Sequence, residues 1–233
     1  MLFDDLFAVF MEVNMKTNNA MKFIFFALLI VVLSLPVFSA KQPSKWVFIG
    51  DSYSVVGHEK NIPNLIAKQL NIDENDYANY GKGGYGLAKT DFTFMSLLKD
   101  VKPDPNVKNV LIIGGINNDR RCSKETVLKT GKKFIRRLKT LYKNAKIYYV
   151  MPNWNSDGLD GKLKDFATRI TRRISWYKTL CQYMDVTFLT KSSNVLKTKD
   201  SEKYFRSDEH HPNLTGRRMI VTAVINEINS CTS

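Results

Sequence analysis

The run NVLIIGG at positions 109–115 constrains this chain most. From Val110 to Ile113 it is apolar without interruption and rich in β-branched residues, and two glycines stop it. A strand with no polar alternation must be buried on both faces, and strands of that kind belong to parallel sheets. Similar short runs recur at 46–50 (WVFIG), 76–81 (DYANYG), 146–152 (KIYYVMP) and 186–189 (VTFL). Segments with helical spacing lie between them. Residues 63–70, 90–100, 124–143 and 162–184 read as helices, with Ser123 as an N-cap. In 162–184 the apolar stripe is Leu163, Phe166, Ala167, Ile170, Ile174, Tyr177, Cys181 and Met184. Residues 190–209 read as a loop, and Pro212 opens a last helix. Strands alternating with helices predict an α/β fold, with a parallel central sheet of about five strands and helices on both faces.

Length and charge narrow the function. Residues 23–40 (FIFFALLIVVLSLPVFSA) follow Lys16 and Lys22 and end in small residues, the three-part pattern of a secretory signal peptide. The expected organisation is a leader over 1–40, with its apolar core at about 23–38, and one domain over 41–233. Cleavage is expected after Ser39 or Ala40, which makes the protein secreted or extracytoplasmic. An uncleaved segment would instead anchor it to a membrane. Met15 and Met21 are alternative starts. Residues 41–233 carry 33 bases against 19 acids, a balance that favours anionic surroundings such as an anionic surface polymer. No zinc-finger spacing, RNA-binding signature or recognition helix accompanies the charge, so no specific nucleic-acid partner is expected. No membrane partner is expected once the leader is removed. Cys122, Cys181 and Cys231 show no CxxC pattern; in an oxidising compartment they allow one disulfide, in any of three pairings.

Four groups of residues carry chemistry. Gly50-Asp51-Ser52 follows the first strand, where a serine is exposed to the crevice of a parallel sheet. Asp208-Glu209-His210-His211 stands just before the last helix. A serine needs a base and the base needs an orienting acceptor; Asp208, three residues before His211, can reach its Nδ1 and leave Nε2 to face the serine. Gly83 and Gly84 follow the second strand, where glycine lets a backbone N–H approach a substrate oxygen. Asn117 and Asn118 follow the third, and an asparagine side chain can donate to an oxyanion. Asp208, His210 and His211 could alternatively hold a metal, but no second ligand cluster or metal-site spacing supports one, so neither metal nor other cofactor is expected.

These blocks resemble those of the SGNH (GDSL-like) hydrolases, named for Ser, Gly, Asn and His. Gly50-Asp51-Ser52 matches the first, with Gly57 downstream. Asn79–Gly84 resembles the second, pointing to Gly84. Gly115-Ile116-Asn117-Asn118 approximates the third, with Asn118 where the family has Asp; Asn117 is preferred and Asn118 is the alternative. Asp208, His211 and Pro212 match the last. The resemblance spans about 45–229. It implies a three-layer, flavodoxin-like α/β/α sandwich and metal-free ester hydrolysis. Ser52 would be the nucleophile, His211 the base and Asp208 its orienter, with Ser52, Gly84 and Asn117 as the oxyanion hole. The expected substrate is a short-chain or acetyl ester, small or carried on an extracellular or envelope glycan. An acyltransferase or lipase of the same fold, and a non-catalytic binder of anionic glycan or lipid, are the alternatives.

Overall fold

The computed structural model describes residues 45–55, 60–154, 161–206 and 211–231. The leader, Gly57, Asp208 and His210 lie outside them. Five strands form one sheet: β1 (Lys45–Gly50), β2 (Tyr77–Asn79), β3 (Val107–Ile113), β4 (Lys146–Val150) and β5 (Thr187–Phe188). Their order is β2-β1-β3-β4-β5 and every pairing is parallel. The continuous apolar run is the middle strand, as its composition requires. Val110 to Ile113 are wholly buried.

The helices are α1 (Ile62–Gln69), α2 (Lys124–Leu141), α3 (Gly161–Met184), α4 (Thr190–Asn194) and α5 (Leu214–Ser230). The chain steps from β1 to β2 in one direction, and from β3 to β4 to β5 in the other. Right-handed crossovers therefore put α1 on one face of the sheet and α2 and α3 on the opposite face. The packing agrees: α1 lies against α5, and α2 against α3. The order reverses between β1 and β3, which pair from Lys45↔Val107 to Gly50↔Ile113. The loops leaving those two strands flank the crevice where such sheets bind ligands. Ser123 caps α2 by accepting from the Thr126 N–H at 3.2 Å, as its position predicts.

Three expectations need correction. Residues 90–100 are not a helix; only Ser96–Leu98 form a 3-10 turn. Phe94 and Leu98 do reach the core. However, the Gly86 N–H bonds the Phe92 carbonyl, the Phe94 N–H bonds the Gly86 carbonyl, and Phe92 takes φ +55°, which ends any helical path. The 190–209 stretch is not all loop, since it holds α4 and a 3-10 turn at Ser201–Tyr204. Glu227 of α5 nucleates α4 by accepting from the Lys191 and Ser192 N–H groups and the Ser192 hydroxyl. Pro212 does not open α5. It bridges Phe205 in an antiparallel pair, and Asn213 caps the helix by accepting from the Gly216 N–H at 3.0 Å. The three cysteines are free thiols, and burial pushes the Cys181 thiol up to about 12.

Candidate active site

Ser52 begins a 3-10 turn, Ser52–Ser54, just past β1. Its N–H stands at the first position of that turn, where no intrahelical acceptor exists. Its Oγ lies 2.8 Å from Nε2 of His211, 159 positions away in sequence. His211 is set by a short antiparallel hairpin. The Arg206 N–H bonds the His211 carbonyl at 2.9 Å, and the Asn213 N–H bonds the Tyr204 carbonyl at 2.8 Å. Asn213 Nδ2 also donates to the carbonyls of Lys203 and Phe205. Behind the hairpin Trp154 packs on Phe205, with ring centroids 4.9 Å apart, and Tyr53 tilts against the imidazole. A hydroxyl this close to an imidazole nitrogen can pass it a proton as an acyl carbon is attacked.

Asp51 holds the two loops of the crevice together. It is fully buried, yet it accepts from three backbone N–H groups: Tyr53 at 3.1 Å, Gly115 at 2.8 Å and Ile116 at 3.4 Å. Burial raises its carboxyl from the ordinary 3.8 to about 6, against those hydrogen bonds, which lower it. Gly114 must be glycine here. Its φ is +122°, and a Cβ would stand 2.1 Å from Oδ2 of Asp51. The sequence reading assigned Asp51 to a motif but gave it no role.

The two candidate asparagines separate in the structure. Asn118 is buried and bonded through both its amide oxygen and its amide nitrogen. Its Oδ1 accepts from the Ala88 N–H at 2.8 Å and its Nδ2 donates to the Tyr177 hydroxyl. Asn117 is half-buried, and its Nδ2 donates to the Tyr85 carbonyl at 3.2 Å, leaving the second amide hydrogen for a ligand. Gly84 is exposed at φ +78°, and Lys89 Nζ holds its carbonyl at 2.7 Å. Among the described residues the Gly84 N–H has no acceptor.

Behind the crevice a layer of α3 side chains sets the loop after β3. The Tyr177 hydroxyl donates to the Gly115 carbonyl at 2.9 Å. Arg173, 1% exposed, donates to the carbonyls of Asn118, Asp119 and Arg120. Sequence reasoning missed Arg173. The signal was present: it falls three residues after Ile170 and four before Tyr177, on the buried stripe.

The family model of the GDSL-like lipase/acylhydrolases matches residues 48–219. No curated protein matches the chain in sequence. Among solved structures, a lipase/acylhydrolase from Enterococcus faecalis superposes with a TM-score of 0.60 at 15% identity, over 80% of this chain and 96% of its own. An acetylxylan esterase from Geobacillus stearothermophilus gives 0.56 at 20% identity, over 79% and 94%. A Lactobacillus plantarum protein gives 0.64 at 13%, over 80% and 97%. At these identities the neighbours share the fold. The family match covers most of the chain, including the turn of Ser52 and the loop of His211, and the chain belongs to the GDSL-like lipase/acylhydrolase family of SGNH ester hydrolases.

Proposed function

We propose that the protein is a secreted esterase that removes acetyl or other short acyl groups from a glycan, with Ser52 as nucleophile and His211 as general base. The observation that carries the catalytic assignment is the 2.8 Å contact between Ser52 Oγ and His211 Nε2 at the carboxyl rim of β1. Ser52 Oγ attacks the ester carbonyl and its proton moves to Nε2. The Ser52 and Gly84 N–H groups and the Asn117 amide stabilise the oxyanion. The carbon–oxygen bond to the alcohol then breaks, and His211 gives the alcohol its proton. Water attacks the acyl-enzyme, His211 takes the water's proton, and the free acid leaves as Ser52 regains its hydrogen. Asp208 is the orienting carboxylate in this scheme. The acetyl-glycan choice draws on the Geobacillus neighbours, an acetylxylan esterase and an acetyl-xylooligosaccharide esterase. Export rests on the leader pattern.

A fluorophosphonate probe tests the core of this reading. It should label the protein at Ser52, and Ser52→Ala should abolish labelling and hydrolysis of p-nitrophenyl acetate while the circular dichroism spectrum is unchanged. Hydrolysis at the parent rate by folded Ser52→Ala would mean a different nucleophile.

A further inference from the structure

The fold sorts charge in a way the linear sequence conceals. α2 and α3 together hold thirteen lysines and arginines against two carboxylates, Glu125 and Asp165. α1 and α5, the main helices of the opposite layer, hold three against one. The α2/α3 layer thus carries a net +11 of the +14 on residues 41–233. Among the described residues, only Lys139 and Arg169 of these two helices contact a carboxylate. Arg173 is turned inward onto the loop after β3, so it adds nothing to the outer surface; the remaining bases, spread over helices of about 27 and 36 Å, make one positive face.

The face has texture as well as sign. Tyr183 is 66% exposed, with Lys132 Nζ 4.5 Å from its ring centroid. Trp176 is half-buried beneath Arg172. A bilayer would require a broad apolar outer surface, but the apolar stripes of α2 and α3 are turned onto the sheet. Orientation matters too. Each helix follows a strand of a parallel sheet and runs back antiparallel to it, so the N-termini of α2 and α3 lie at the carboxyl rim, the end that carries Ser52.

We propose that the α2/α3 face binds an acidic polysaccharide and leads it to the rim where its acyl esters are cut. The choice of polysaccharide rests on the esterase reading, since nucleic acids carry no acyl esters and uronate glycans do. Sugar rings can stack on Tyr183 and Trp176 while their carboxylates meet the surrounding cations.

Binding of the full chain to polygalacturonate, measured by titration calorimetry, tests the face without turnover. The variant Lys129→Gln/Lys133→Gln/Arg136→Gln removes one exposed stripe and keeps good helix formers. It should weaken binding by about tenfold or more, as should raising salt from about 0.05 to about 0.5 M. Its kcat on p-nitrophenyl acetate should equal the parent's. Equal binding by parent and variant, or no binding by either, overturns the proposal. So does tighter binding of the parent to duplex DNA or phosphatidylglycerol vesicles at equal charge. Glycan binding that persists in a protein failing the Ser52 tests would sink the esterase reading and leave the face standing.

Discussion

Asp51 shows how one residue beside Ser52 trades stability for position. Its carboxyl titrates near 6 in the folded chain and near 3.8 when exposed. Between those values the folded state holds the extra proton. Stability from this group is therefore greatest below about pH 4, falls by on the order of 3 kcal/mol as pH rises to 6, and is flat above. Asp51→Asn cannot ionise and turns an amide NH2 towards backbone donors, a loss of about 1–3 kcal/mol. The variant's deficit should therefore narrow from pH 4 to pH 7 in urea titrations; parallel curves would contradict the burial argument. At the same scale the two histidines should differ. His211→Ala should cut turnover by about 10³-fold or more, whereas His210→Ala should cost about tenfold. Equal, severe losses in folded proteins would favour joint metal ligation instead. The contrast between Asn117 and Asn118 was not legible from spacing. It depends on Ala88 and Tyr177, which meet Asn118 across about 30 and about 60 positions.

At the scale of elements, the site depends on two loops and one hairpin. Asn213 serves both α5 and the hairpin of His211: its Oδ1 caps the helix, and its Nδ2 ties the carbonyls of Lys203 and Phe205. These roles can be separated. Asn213→Ala should cost about 1–2 kcal/mol of stability through the lost cap. Asn213→Asp keeps the cap and should recover most of that. Because it lacks the Nδ2 donor, its turnover should stay low by about tenfold. Recovery of both properties together would show that the hairpin bonds are dispensable. The strands and long helices were legible because burial and periodicity are local signals. The 90–100 segment misled because Phe94 and Leu98 have helical spacing while Gly86 dictates the path of the chain. α4 was missed because its N-terminal donors are satisfied by Glu227, some 35 residues on.

At the scale of the whole molecule, the proposed export by the leader has a direct test. Exported protein should begin at residue 40 or 41 by N-terminal sequencing, and an intact apolar segment would mean a membrane-anchored enzyme. The net charge of residues 41–233 does not say which layer bears it. Its concentration on one layer follows from the reversal of strand order between β1 and β3, which sends α2 and α3 to the same face.

By itself the sequence determined the parallel α/β class, the strands and the residue types at the rim. Apolar runs, glycine stops and helical periods act through neighbours a few positions apart. Its four blocks also carried the family. The tertiary structure alone decided which groups meet: Ser52 with His211, Asp51 with the Gly115 and Ile116 N–H groups, and Arg173 with the loop after β3. Each contact joins residues more than fifty positions apart. Such pairings are chosen by the packing of the whole sheet and its helices, and no local pattern records them.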